Sequence, residues 1–79
     1  MSVNMELYRV FLTVGKCRSL SQAARILKIS QPAVSQAIRQ LENRLGCRLF
    51  VRTTKGVDPT GEGNILMGYI EQAVGLVDT

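Results

Sequence analysis

The chain has 79 residues, 46% of them apolar and 20% charged, which suits one small folded domain with a marginal core better than a disordered chain. No apolar run approaches the ~18 residues that cross a bilayer, and no basic stretch leads into an apolar one at the N-terminus, so a cytoplasmic location is expected and no membrane. The net charge of +4 is unevenly spread: nine bases stand against Glu42 alone in residues 16–55, a local +8, and residues 56–79 hold four acids and no base.

Leu7, Val10, Phe11 and Val14 fall at i, i+3, i+4 and i+7, one face of an amphipathic helix from roughly Asn4 to Lys16. Tyr8 and Leu12 widen that stripe, and Gly15 weakens its end. Ser19-Leu20-Ser21 starts a second helix, with Ser21 as the expected cap and Leu20, Ala23, Ala24 and Leu27 as its apolar face. The alanines let another helix cross close by. This helix ends near Lys28 and, at about two turns, must be held by packing. After the turn Lys28-Ile29-Ser30, Ser30 is an N-cap and Pro32 is tolerated in the first turn of a third helix. Val34, Ile38, Leu41 and Leu45 form its stripe and Gly46 closes it, which places it at about 31–45. Gln31, Pro32, Ser35, Gln36, Arg39 and Asn43 project from the other side.

Cys47 to Arg52 is rich in apolar and β-forming residues, Thr53-Thr54-Lys55-Gly56 is a turn, and Val57-Asp58 is a second short strand ended by Pro59. This predicts a two-stranded hairpin with a basic tip. Thr60 then caps a last helix over about 61–79. Its apolar positions Ile65, Leu66, Tyr69, Ile70, Ala73, Val74 and Val77 exceed what one helix stripe buries on its own domain. Its glycines, Gly61, Gly63, Gly68 and Gly75, weaken it by about 1 kcal/mol for each interior position, so it needs a surface to pack against. The expected core is Val10, Phe11, Val14, Ala24, Leu27, Val34, Ile38, Leu41, Leu45, Leu49 and Phe50.

Histidine is absent, and there is no CxxC, Gly-rich phosphate loop, nucleophile elbow or paired-carboxylate motif. No metal, no cofactor and no enzymatic activity are therefore expected. Cys17 and Cys47 read as reduced thiols, one in a loop and one half-buried. Charge alone leaves the basic centre open between a polyanion-binding face and an ordinary solvated surface. The order of elements says more. A short helix, a tight turn and a longer helix with a polar outer face form a helix-turn-helix, and the hairpin adds a wing. The major groove of DNA admits one α-helix, whose short polar side chains reach base edges. The fold class is mainly α: a winged helix-turn-helix, with a three-helix core and a two-stranded wing, followed by a linker helix.

Within the stretch Ser19 to Arg52, the pieces Ala23-Ala24, Ser30-Gln31-Pro32-Ala33-Val34-Ser35, Ile38, Leu41-Glu42, Leu45-Gly46, Leu49-Phe50 and Arg52 resemble the DNA-binding domain of the LysR-type transcriptional regulators. Thr60-Gly61-Glu62-Gly63 resembles the start of that family's linker helix. The resemblance covers essentially the whole chain. It implies sequence-specific binding of double-stranded DNA by a bacterial transcriptional regulator, with helix 31–45 in the major groove and the wing, about 48–58, on the backbone or minor groove. It divides the chain into a DNA-binding domain over 1–58 and a linker and dimerisation helix over 59–79. Antiparallel pairing of two linker helices makes a homodimer, with a tetramer as a further option for a full-length protein. A small-molecule effector is expected only for a C-terminal domain that this sequence does not encode, and the chain, stopping inside an apolar helical pattern, reads as part of a longer one. Two positions depart from the family pattern: many members carry arginine in place of Gln36, and a more apolar pair stands in place of Asp58-Pro59.

The resemblance assigns DNA contacts to the motif from Ser30 to Gln36. Gln31, Ser35 and Gln36 become base readers, Pro32 a contact to a thymine methyl, and Ala33 a neighbour in the same contact set. Arg39 becomes a phosphate ligand; its alternative is a partner for Glu42 or Asn43 on the same helix. Arg52 reaches the backbone or minor groove, Thr53, Thr54 and Lys55 donate to phosphate, and Ser21 and Ser30 are caps first and phosphate ligands second. Arg44 and Arg48 read as solvated charges. Ile65, Leu66, Tyr69, Ile70, Ala73 and Val77 belong either to the chain's own core or to a dimer interface, with interface the favoured reading for part of the set, because one helix stripe cannot bury them all alone. The rival reading is a winged-helix protein-interaction module. That would show apolar or acidic residues on the third helix's outer face, where this chain has Gln31, Ser35, Gln36 and Arg39.

Overall fold

The computed structural model describes residues 5–78, with side chains over 5–73. In chain order it has α1 Met5–Cys17, α2 Leu20–Leu27, α3 Gln31–Leu45, β1 Phe50–Thr53, β2 Gly56–Pro59 and α4 Gly61–Asp78. The expected helix, short helix, long helix, hairpin and helix are all present, and the boundaries of α3 agree with the sequence pattern. Among the described residues no helix is long and apolar enough to cross a membrane.

The helix ends explain the turns. Ser19, not the expected Ser21, caps α2: its backbone is extended, and its Oγ accepts the Gln22 N–H at 3.2 Å. Ser21 lies inside the first turn, its hydroxyl 3.2 Å from that of Ser19. The reason is upstream. Arg18 takes a left-handed backbone (φ 54) directly after α1, which reverses the chain early and leaves Ser19 at the cap. Lys28 ends α2 in the same left-handed conformation, and Ile29 N–H reaches back to Ala24 C=O at 3.1 Å. Ser30 caps α3 as expected, its Oγ accepting the Ala33 N–H, and Gly46 (φ 72) closes it.

The hairpin is antiparallel, with Phe50 opposite Pro59 and Thr53 opposite Gly56. Its first strand starts at Phe50 rather than Cys47. The Leu49 backbone is committed elsewhere, its N–H to the Glu42 carboxylate at 2.7 Å and its C=O to the Thr60 N–H at 2.9 Å. Thr60 caps α4, accepting the Gly63 N–H at 3.0 Å and donating its hydroxyl to Arg48 C=O at 2.6 Å.

One core joins all four helices and the wing. It contains Leu7, Val10, Phe11, Val14, Ala23, Ala24, Val34, Ile38, Leu41, Leu49, Phe50 and Val57, and the Phe11 and Phe50 rings pack with centroids 5.3 Å apart. Leu7, Ala23 and Val57 were not among the expected core residues. Leu27 is only partly buried, and Leu45, expected inside, is 44% exposed. Leu45 shares the stripe of Leu41, but it is the last residue of α3, and its neighbours cover it only in part.

Helix α4 lays Leu66, Met67 and Ile70 against this core and leaves Ile65 and Tyr69 outside. Met67 lies outside the apolar positions expected of this helix. It docks on buried Gly15 of α1, where an added Cβ would stand 2.6 Å from its Sδ. That obstacle is the far end of a flexible thioether. Gly15→Ala should therefore change stability in urea by less than about 1 kcal/mol, since the gain in helix propensity offsets the shift of Met67. A loss above about 2 kcal/mol would mean that Met67 has no alternative rotamer.

Candidate nucleic-acid interface

The turn between α2 and α3 sets the candidate surface. Because the stripe of Val34, Ile38 and Leu41 faces the core, the opposite side of α3 must face out. Gln31, Pro32, Gln36 and Arg39 are exposed there, while Ala33 and Ser35 are half-buried. Ser30 and Ser21 are exposed beside them, with the Ser30 hydroxyl engaged as the cap of α3 and the Ser21 hydroxyl against Ser19.

The wing stands next to α3, and together they wall an open groove of about 650 Å3. Ser35, Arg39 and Asn43 enter it from successive turns of α3, and Arg48 and Arg52 face them from the wing side. Of the residues expected to act together, Ser35, Arg39 and Arg52 thus share one groove. Thr53, Thr54 and Lys55 are exposed at the wing tip, outside its lining; Thr53 Oγ1 accepts the Lys55 N–H at 3.2 Å and stiffens the tip.

The alternative partner for Arg39 is engaged elsewhere: Glu42 Oε2 accepts the N–H groups of Leu49 (2.7 Å) and Phe50 (3.4 Å) and lies 4.0 Å from Arg48 Nε. Arg39 remains exposed. Arg48, read as a solvated charge, lines the groove, although its side chain is 75% exposed. Asn43 was noted on the polar face but not as a site residue. Its spacing of four from Arg39 and eight from Ser35 was the signal available. Three arginines, Arg39, Arg48 and Arg52, line the groove against the single carboxylate of Glu42, which gives it a net basic character.

The wing root is held from the other side as well. Val57 N–H donates to Arg18 C=O at 3.2 Å, and Arg18 pairs with Asp58 at 3.3 Å. Asp58, the residue that departs from the expected apolar pair, thus faces the α1–α2 junction. The pair is exposed and adds little stability by itself. Among the described residues no cluster of three or more histidine, cysteine, aspartate or glutamate residues could hold a metal ion.

Known proteins share this arrangement. The family described as "Bacterial regulatory helix-turn-helix protein, lysR family" matches residues 5–64. The HTH-type transcriptional regulator AbaB of Streptomyces antibioticus is 45% identical over 64 residues, 81% of this chain and 21% of its own length. The HTH-type transcriptional regulator GltR of Bacillus subtilis (strain 168) is 38% identical over 76 residues, 96% of this chain and 26% of its own length. The chain thus spans about a quarter or less of these curated relatives, which are transcriptional regulators rather than enzymes. Among solved structures, the BenM DBD/benA site 1 DNA complex is similar with a TM-score of 0.87 and 33% identity, over 96% of this chain and 88% of that one.

Proposed function

The chain belongs to the LysR family of bacterial helix-turn-helix regulatory proteins, and from that premise we propose that it binds double-stranded DNA sequence-specifically to regulate transcription. Helix α3 lies in the major groove, with Gln31, Pro32, Ala33, Ser35 and Gln36 at base edges. Arg39 and the wing residues Arg52, Thr53, Thr54 and Lys55 hold the backbone or the neighbouring minor groove, and Ser21 and Ser30 reach phosphate beside their roles at the helix starts. The observation that carries this reading is the outer face of α3, polar and free of exposed acid, opening onto a groove that holds Arg39, Arg48 and Arg52.

Residues 1–58 then form the reading domain and 59–79 the linker segment, through whose helix α4 two copies pair. Ile65 and Tyr69, 63% and 69% exposed, and exposed Ala73 offer the apolar surface for that pairing. Leu66 and Ile70 are half-buried against their own core and add only what surface remains. Val77, the last residue of the expected interface, lies outside the described side chains. A regulator of this kind works in the cytoplasm, where its DNA is.

Fluorescence anisotropy tests the reading: duplexes with two half-sites about one helical turn apart, and scrambled controls, are titrated at several salt concentrations. Tighter binding to one arrangement, falling steeply with salt at two chains per duplex, is the expected result. No binding at low salt would overturn it and favour the protein-interaction module. Arg52→Ala should weaken binding to every duplex about fivefold to tenfold and reduce the salt slope by about one, as loss of a backbone contact does. An unchanged slope would remove Arg52 from the phosphate contacts.

A further inference from the structure

Resting on the reading of α3 and the wing as a DNA-binding pair, we propose that Glu42 is a positioning residue, whose carboxylate fixes the wing at its distance and angle from α3. Glu42 is the only acid between residues 7 and 57, in the segment that holds all the groove's cations. A free carboxylate there would repel a phosphate backbone. This one lines the groove but is engaged: the side chain is 15% exposed, and one oxygen accepts from Leu49 and Phe50, the residues through which the chain enters the wing. Charged acceptors make stronger hydrogen bonds than neutral ones. The anchor therefore turns the loop from Cys47 to Leu49 into a fixed strut between the last turns of α3 and β1. Arg52 stands two residues beyond Phe50 on the same strand, so its aim into the groove is set by that strut.

The wing has other attachments. Thr60 holds the backbone of Arg48 and Leu49, and Arg18 holds Val57. Loss of Glu42 should therefore leave the fold intact and the aim of the wing loose. A double-mutant cycle on DNA binding separates these effects. The probe is a duplex that the parent chain selects from a random-sequence pool, read by anisotropy on samples shown folded by circular dichroism.

Arg52→Ala is expected to weaken the parent about tenfold and the Glu42→Ala chain less than about twofold, because a loose wing has already lost the contact. Glu42→Gln keeps an acceptor oxygen for Leu49 N–H and should restore most of the dependence on Arg52. Amide exchange at Leu49 and Phe50 should quicken in Glu42→Ala, while that of Phe11 in the core should not. An Arg52→Ala penalty of the same size in both backgrounds overturns the proposal. Should the alanine variant fail to fold, Glu42→Asp takes its place with the same expectation, since it keeps the charge but falls a methylene short of Leu49. A parent chain that selects no duplex overturns the DNA reading instead. Exchange at Leu49 then judges the strut alone, and an unchanged rate in the Glu42 variant removes it.

Discussion

Gly63→Ala is expected to destabilise the chain by about 3 kcal/mol, which for a domain of this size lowers the melting temperature by more than ~10 °C. The added Cβ would lie on the Leu49 carbonyl oxygen, 3.2 Å from the carbon of that group and 3.3 Å from the Pro59 Cβ. Nothing flexible stands in the way, so backbone has to move. The carbonyl cannot retreat without cost, because it accepts the Thr60 N–H that begins α4. If α4 moves instead, Gly63 N–H leaves Thr60 Oγ1, and the cap, typically worth ~1 kcal/mol, goes with it. Gly68→Ala is the control. Nothing lies within 4 Å of an added Cβ there, and alanine in place of an interior helix glycine gains up to ~1 kcal/mol. Urea denaturation of the two variants should therefore move in opposite directions. A Gly63→Ala variant as stable as the parent would mean that the junction between wing and α4 yields easily.

Gln36→Ala should cost about 1–3 kcal/mol on the preferred duplex and much less on a scrambled one, with no change in the salt slope. Gln36 is exposed on the outer face of α3, nearly two turns beyond the cap Ser30, and carries no charge that a phosphate would attract. A glutamine there can donate to and accept from the edge of an adenine through one planar amide, which is a base-reading role. An arginine in its place would pair bidentately with guanine, so Gln36→Arg should move the preference at one position from adenine toward guanine. Equal loss on every duplex for Gln36→Ala would assign it to the backbone or to the fold instead.

Local chemistry carried most of the fold into the sequence. Ser30, Pro32 and Gly46 mark α3 at both ends, because each acts on backbone groups within a turn of itself. The choice between Ser19 and Ser21 was not legible, since both can cap and the decision rests on the left-handed turn at Arg18. Leu45 carries the right period, but burial depends on how far a neighbour extends, which periodicity does not encode. The partners of Glu42 are not local to it. On the helix it sits within reach of Arg39, yet its partners are amides seven and eight residues on, and only the path of the loop brings them back. Gly63 was read as a weakness of the last helix. Its role as a seat for Leu49 depends on two backbones meeting, and nothing in the surrounding residues announces that.

Backbone meets backbone where α4 leaves the wing: Gly63 lies directly against Leu49, with no side chain between to act as a cushion. Such a joint has almost no play, so the tilt of α4 and the pitch of the wing are one mechanical variable. The outward residues Ile65 and Tyr69 lie on another side of the same helix. In the proposed pairing of two copies, exchanging these outward side chains would retune the grip between them without altering the angle at which each copy presents its wing.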